Sequence, residues 1–283
     1  MNESKDTIDQ FRVPPLPAVF IRVLQYDPSS KDSGTHEMEA IISPDKSICA
    51  EVLRVANSAF YGRSGKVTTL KDAITLLGLK SVKNLIILLQ SKVINKNLRL
   101  ELLRKYSNEV PVLTALIAHD LCKIVEKESY RDDAFVAGLL HGIGNSILAM
   151  NKALEYYNIL NKYEKEGGSL IDLEKTAFQT DHTELGEKVF RLWKLPEQYS
   201  VMVANYMFPP DKVSDMSDLT RITSLAGFLA RKLEGLRVDS AAEERAKAIM
   251  QFYQAEDKVN TTFNENYFQA LKLHPFYEQV MAS

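Results

Sequence analysis

The residues best suited to metal chemistry in this chain are its five histidines, which are spread along its whole length: His36, His119, His141, His182 and His274. Imidazole binds transition metals, and a metal that activates water needs several ligands held in a fixed arrangement. No pair of these histidines has the HExxH spacing, and none stands in a cluster with cysteine. The sequence therefore carries no recognisable zinc motif.

One of them, His119, is followed directly by an aspartate, Asp120. The pair lies in the apolar segment VLTALIAHDLCKIVEK, which predicts a helix. Adjacent helical side chains point in directions about 100° apart, so one ion uses both only in a special geometry. We interpret this pair as part of a half-exposed helix face.

Two other histidines stand where helices are expected to meet. His141 ends an apolar run and is followed by GIGN, where the glycines at 138, 142 and 144 permit close approach of packed helices. Such a position is more typical of a core histidine with one hydrogen-bond partner than of a ligand. His182 begins a predicted helix that Asp181 or Thr180 can cap.

Motifs for nucleophilic or phosphate chemistry are missing from the sequence. There is no GxSxG, no P-loop and no GxGxxG. The two cysteines, Cys49 and Cys122, have no neighbouring histidine and no zinc-type spacing, so we expect free thiols in a reducing cytosol.

One charged stretch, residues 80–105, has seven basic side chains against the single acid Glu101, although the whole chain has a net charge of −2. Such a stretch could bind an acidic partner or a nucleic-acid backbone. A solvated helix face is the simpler interpretation and the one we favour.

Helix patterns must position these side chains, because strand patterns are scarce throughout the chain. With 283 residues, 45% of them hydrophobic, the chain can bury a sizeable core. Helices are predicted at 109–127, 132–150, 153–166, 169–179, 182–194, 196–206, 218–234, 241–255 and 263–281. Upstream of these, Ser43, Thr69 and Ser81 are the predicted N-caps of three helices. We predict an all-α protein. Its polar first residues and the lack of a membrane-length apolar run suggest a cytoplasmic location without membrane contact.

Five segments in this order resemble the HDOD domain family of bacterial signalling domains, which are related to the HD phosphohydrolases. They are PPLPAVFIRVLQ, IISPDKSICAEVLRVANSAFYG, KVTTLKDAITLLGLKSVKNLII, DDAFVAGLLHGIGNSIL and DHTELGEKVFRLWKLPEQY. The resemblance covers residues from about 12 to 230. Pro44-Asp45 here replaces the usual Asp-Pro order.

The resemblance implies an N-terminal helical bundle packed on a C-terminal, HD-like helical subdomain. We divide the chain into a flexible tail (1–11), the helical bundle (12–108), the HD-like part (109–230) and a C-terminal helical extension packed on the domain (231–283).

The resemblance also implies which residues would stand at the HD metal positions. The first ligand histidine falls near Leu113 or Thr114. His141 and His182 keep their imidazoles. Gly142 replaces the aspartate of the His-Asp pair, and Asn205-Tyr206 replaces a later histidine pair. Two imidazoles without a carboxylate leave the charge of a divalent ion uncompensated. We therefore expect no bound metal, no cofactor and no catalysis.

The leading hypothesis is accordingly a non-catalytic regulatory module that acts through protein–protein contacts or by sensing a ligand. Its signalling partner would be supplied in trans, and we expect neither nucleic acid nor membrane as a partner. The alternative is a metal-dependent phosphohydrolase or phosphodiesterase with an altered ligand set. That alternative needs a carboxylate to enter the pocket, from one of four residues: Asp120, Asp132, Asp133 or Glu184.

The candidate interaction surface comprises Asn57, Tyr61, Arg63, Lys92 and Lys96. The first three lie in a predicted turn that mixes aromatic and polar groups, as recognition surfaces often do. A purely structural interpretation is also open, in which Asn57 caps a helix and Tyr61 packs on the core.

Overall fold

The computed structural model describes residues 10–28, 30, 33–61 and 66–281. The predicted all-α class is confirmed, since every regular element in these ranges is helical. Their contacts divide the chain into two compact units. The smaller unit is Pro15–Val93 together with the C-terminal segment from Lys272, and the larger unit is Ile94–Leu271 together with the N-terminal segment up to Pro14. The domain limits from the sequence, at 11/12, 108/109 and 230/231, stay a prediction.

The smaller unit contains six helices in its described part. They are α1 (Ala18–Gln25), α2 (Thr35–Ile42), α3 (Lys46–Ala56), α4 (Leu70–Leu77), α5 (Leu79–Asn95), which extends two residues past the limit of the unit, and α18 (Pro275–Met281). Helix α4 packs against α2 and α3. Their apolar faces meet in a core where Met38, Val52 and Ile74 are fully buried.

Two of the three predicted caps in this unit are wrong. Ser43 has helical φ and ψ of −55° and −28° and ends α2, so it cannot cap the next helix. Asp45 caps α3 instead, because its carboxylate accepts two backbone N–H groups of the first turn. Ser81 lies inside α5, which already begins at Leu79. Thr69 caps α4 as predicted.

The larger unit holds the remaining helices. They are α6 (Glu101–Arg104), α7 (Val110–Ile124), α8 (Arg131–Leu140), α9 (Ile143–Asn151), α10 (Ala153–Glu166), α11 (Leu170–Phe178), α12 (His182–Leu192), α13 (Glu197–Asn205), α14 (Asp218–Leu233), α15 (Ser240–Phe252), α16 (Glu256–Thr262) and α17 (Glu265–Lys272). A π-helical turn, Lys105–Glu109, joins α6 to α7.

Helix α7 forms the centre of this unit and packs against α8 and α14. A Cβ atom at Gly138 would lie 2.7 Å from the Cα atom of Ala115, so glycine is needed where α8 crosses α7. A Cβ atom at Gly144 would lie 1.8 Å from the carbonyl oxygen of His182, where α9 meets α12. The close helix approach predicted for these two glycines is confirmed.

The helix predicted over 132–150 is wrong as a single element. Gly142 has φ −84° and ψ 13°, which is not helical, so the chain turns there between α8 and α9. The helix predicted over 263–281 is likewise two helices, α17 and α18. The break at Gly142 leaves His141 at the end of α8, beside α9 and α12.

One stretch, Glu128–Asn151, is long and apolar enough to cross a membrane by composition alone. Its most apolar part is 89% buried inside the protein, as expected of a core helix pair.

Candidate functional site

His141 lies inside the larger unit with a single hydrogen bond to the backbone. Its side chain is buried, and its Nδ1 lies 2.6 Å from the carbonyl oxygen of Gly138. Because a carbonyl oxygen only accepts, Nδ1 carries the ring proton and Nε2 is left as an acceptor. Burial is the main cause that lowers the pKa of His141 from 6.5 to about 4. The ring is therefore neutral at physiological pH.

His182 begins α12, with Asp181 as the N-cap, so the capping predicted for this helix is confirmed for Asp181. The Nδ1 atom of His182 lies 2.5 Å from Oε2 of Glu174, and the same oxygen accepts the backbone N–H of His182 at 3.0 Å. The other oxygen of Glu174 accepts from the hydroxyl of Tyr156 at 2.9 Å. Glu174 and Tyr156 are both fully buried. These contacts fix the orientation of the His182 ring.

The remaining nitrogen of His182, Nε2, lies 2.8 Å from the hydroxyl of Tyr206. Tyr206 also packs edge-on against His141, with 5.1 Å between ring centroids. Burial raises the pKa of Tyr206, so its phenol keeps the proton and can donate it to Nε2. The hydroxyl of Tyr206 thus lies on the one ring nitrogen of His182 that Glu174 does not contact.

One cluster among the described residues offers ligand atoms for a divalent ion. Glu174, Asp181 and His182 place potential ligand atoms within 4.8 Å of one another, but each group is already engaged. Glu174 accepts three hydrogen bonds, and one oxygen of Asp181 accepts the backbone N–H groups of Thr183 and Glu184. The second oxygen of Asp181 pairs with a lysine at 3.2 Å.

Position 142 has little room for a side chain. A Cβ atom at Gly142 would lie 2.9 Å from Cγ of Pro111 on α7. An aspartate there would require the ring of Pro111 to shift.

Glu174 was not among the candidate residues from the sequence, although a signal existed. Leu170, Glu174 and Phe178 follow one another at intervals of four on α11, and all three are buried. A carboxylate in the middle of an apolar stripe needs a buried partner. The partner, His182, follows eight residues later.

None of the four carboxylates that the alternative hypothesis requires lines the cavity beside His141. Asp120 is 44% exposed and contacts His119, Arg131 and Tyr267. Asp133 accepts from the hydroxyl of Tyr199 at 2.7 Å. Glu184 is 48% exposed and pairs with a lysine, and Asp132 lies in the first turn of α8.

The cavity beside His141 has a volume of about 40 Å³. Its lining is aromatic and basic, and it includes Tyr106, Tyr163, Tyr206, Arg231, Arg237 and Arg245. All these residues belong to the larger unit.

The residues of the candidate interaction surface have mixed placements. Asn57 ends α3 and exchanges two hydrogen bonds with the backbone of Val67, both 2.9 Å long. Tyr61 is half-buried, whereas its neighbour Phe60 is 55% exposed. Arg63 lies outside the described residues.

The two lysines of that surface belong to different units. Lys92, in the smaller unit, is half-buried and donates to the carbonyl oxygen of Gln279. Lys96, in the larger unit, is exposed. Other basic groups of the 80–105 stretch also have partners within their own unit, such as Lys83 on the carbonyl oxygen of Tyr26 and Lys105 on Glu101.

The family model of the HDOD domain matches residues 13–209 of this chain. An uncharacterized protein of Treponema pallidum is 21% identical over 259 residues, which are 91% of this chain and 49% of that protein. The chain therefore spans about half of the length of this curated relative.

Similar solved structures share the fold. An HDOD domain protein of Geobacter sulfurreducens has a TM-score of 0.71 at 16% identity, covering 95% of this chain and 93% of that one. A protein of Shewanella amazonensis named as a candidate phosphohydrolase has a TM-score of 0.69 at 20% identity, covering 96% of each chain. A candidate signal transduction protein of Marinobacter aquaeolei has a TM-score of 0.72 at 16% identity, covering 99% of this chain and 62% of that one. Identities this low establish the fold alone.

Proposed function

The chain belongs to the HDOD domain family, and from that membership we propose that it is a non-catalytic signal-transduction module. In this proposal it acts in the cytoplasm, through contacts with a signalling protein supplied in trans or by sensing a ligand in the cavity beside His141. The HD-type metal site is degenerate in this proposal, and no metal or cofactor takes part.

The observation that carries the proposal is the contact between His182 and Tyr206. A phosphohydrolase metal must polarise a phosphoryl oxygen and activate water, and each of its ligand atoms must be free to bind it. Here Nε2 of His182 lies 2.8 Å from a phenol hydroxyl, and the family resemblance implies that Gly142 replaces the carboxylate of the HD pair. Both points support the proposal of a site that works without a metal.

For the protein contacts, we add to the proposed surface the exposed aromatic ring of Phe60, the neighbour of Tyr61. It is 55% exposed and packs edge-on against Tyr61 and His274, with centroid distances of 5.2 and 4.9 Å. The neighbours hold the ring in place, so little side-chain entropy remains to be lost on binding. The side-chain amide of Asn57, in contrast, donates hydrogen bonds to backbone carbonyl oxygens of α3 and Val67.

The alternative, a metal-dependent phosphohydrolase or phosphodiesterase with an altered ligand set, is favoured by the cluster of Glu174, Asp181 and His182. Two carboxylates beside an imidazole form a donor set that suits a divalent ion if their present hydrogen bonds are given up. The similar Shewanella amazonensis protein is named as a candidate phosphohydrolase, which also favours this alternative.

Metal content and hydrolysis separate the two candidates. We expect the purified protein to hold no stoichiometric metal by mass spectrometry and to hydrolyse neither phosphodiesters nor phosphomonoesters with added manganese. A matched His141→Ala variant controls for contaminating hydrolases, since it should then behave as the wild type does. Stoichiometric metal, together with hydrolysis that His141→Ala abolishes, would overturn the regulatory proposal.

A further inference from the structure

We propose that the cavity beside His141 is a binding site for monohydrogen phosphate, held by the guanidinium groups of Arg231 and Arg245 without a metal ion. This inference rests on the ligand-sensing part of the proposed function and names the ligand class. The cavity volume of about 40 Å³ has room for roughly three water molecules, which is the scale of one small oxyanion.

Arg245 supplies a buried positive charge that no carboxylate neutralises directly. The residue is 8% exposed and donates to Oγ of Ser224 at 3.1 Å and to the carbonyl oxygen of Phe208 at 3.1 Å. Within the described ranges it forms no ion pair. Neutral acceptors alone leave much of the cost of burying a guanidinium uncompensated, so an anion in the cavity would be stabilised.

Arg231, which is half-buried on α14, supplies a second guanidinium group. Its Nη2 atom donates to the hydroxyl of Tyr106 at 2.8 Å, and its guanidinium stacks on the rings of Tyr106 and Tyr163 at 4.9 and 5.6 Å. Its buried Nε atom has no hydrogen-bond partner. Burial is the main cause that lowers the pKa of Arg245. The negative charge of Asp239 opposes this shift, and the positive charge of Arg231 adds to it.

The two acidic groups near the cavity already accept hydrogen bonds from other parts of the protein. Asp239 caps α15 through the backbone N–H of Ala242 at 2.8 Å, and its other oxygen accepts from the hydroxyl of Tyr163 at 3.3 Å. Glu164 accepts from the backbone N–H of Arg237 at 2.8 Å and from the hydroxyl of Tyr106. With Arg237 in the lining as well, three guanidinium groups face two engaged carboxylates, and the excess charge is positive.

His141 decides which anion fits. Its Nδ1 donates to Gly138, so its Nε2 is an acceptor and needs a donor from the ligand. Monohydrogen phosphate offers acceptor oxygens to the arginines and one P–OH proton to Nε2. Sulfate and carboxylates have no such proton at neutral pH, and a phosphomonoester loses its own above a pKa of about 6.

The proposed site is a property of this chain beyond its family match. Arg231, Arg245 and Ser224 all lie outside the matched residues 13–209. The helices that carry them, α14 and α15, pack against each other, and α14 also packs against α7 and α8. The site therefore combines the HD-like histidine with side chains from the C-terminal part of the larger unit.

Calorimetric titration at about pH 8 tests the proposal with inorganic phosphate, sulfate and methyl phosphate as separate ligands. We expect phosphate to bind, and sulfate and methyl phosphate, which both lack the proton at that pH, to bind at least about tenfold more weakly. Arg245→Gln should weaken phosphate binding by a similar factor. Arg191→Gln is the control, because that side chain is 73% exposed on α12 and does not line the cavity.

A second variant keeps the test decisive if Arg245→Gln does not fold. A Cβ atom at Gly227 would lie 3.9 Å from Nε2 of His141, an ordinary contact without a clash. Gly227→Ala should therefore keep or raise the melting temperature, since alanine favours the helix. The added methyl group should also keep the ligand proton away from Nε2 and weaken phosphate binding at least about tenfold.

Each remaining outcome counts against the proposal. Absence of phosphate binding, equal binding of sulfate or methyl phosphate, or full binding by a folded Gly227→Ala protein would overturn it. The proposed function fails separately, through stoichiometric metal and hydrolysis. A protein without metal, hydrolysis or phosphate binding refutes only the phosphate site.

Discussion

Acidification should destabilise this protein through His141. The ring is buried and neutral, with its Nδ1–H on the carbonyl oxygen of Gly138, and burial lowers its pKa from 6.5 to about 4. In the unfolded chain the same imidazole takes up a proton near pH 6.5, so the unfolded state binds more protons between these values. The stabilisation is fully present above pH 6.5 and is lost as the pH falls towards 4.

The size of the effect follows from the two pKa values. Going from pH 7 to pH 5 should lower the free energy of unfolding by about 2 kcal/mol through this residue alone, and the total loss below pH 4 should reach about 3 kcal/mol. His141→Asn removes the titrating ring but can keep a donor to Gly138. The variant should be less stable at pH 7, with a weaker decline towards pH 5.

Urea denaturation of both proteins at pH 7 and pH 5, in buffers free of phosphate and sulfate, measures the difference. The other titrating groups are common to the two proteins, so their contributions cancel in the comparison. NMR titration of the imidazole signals gives the pKa of His141 directly, with the signal missing in His141→Asn as the assignment. An equal pH dependence in the two proteins, or a ring midpoint near 6.5, would refute the reasoning.

Three further substitutions test the neighbouring contacts. Gly142→Asp should lower the free energy of unfolding by about 1–3 kcal/mol, because its Cβ meets Pro111, and calorimetry should detect no manganese binding; stoichiometric manganese would contradict the packing argument. Glu174→Gln removes the carboxylate that accepts from His182 and should cost about 2 kcal/mol in urea denaturation, whereas a change below about 0.5 kcal/mol would mean that the buried contact contributes little. Tyr206→Phe should cost about 1 kcal/mol by the same measurement and should not by itself create hydrolysis; a folded variant that gains manganese-dependent hydrolysis would count against a degenerate site.

The sequence alone was sufficient for the helical class and the family. Apolar spacing, the cap at Thr69 and five ordered motifs are local signals, and each depends on residues a few positions apart. The same reasoning singled out His141 and His182, and their assignment to HD metal positions stays a prediction. It was wrong at Ser43, because the choice between two neighbouring capping residues depends on where the preceding helix ends.

Glu174 could be predicted from the sequence only in part. Its place on the apolar stripe of α11 is visible in the sequence, but its partner is set by the turn that folds α12 back beside it. The break at Gly142 is similar, since glycine alone does not show whether a helix continues or turns.

Which side chains meet at the site depends on the tertiary structure. Tyr206 reaches His182 across 24 positions, and Arg231 reaches Tyr106 across 125. Neither contact leaves a periodic pattern in the chain, because each depends on how whole helices pack. Only the packing of α12, α13, α14 and α15 shows that Tyr206 lies on His182 and that three arginines line the cavity beside His141. Helix formation depends on neighbours along the chain, whereas burial, charge and hydrogen-bond partners depend on neighbours in space.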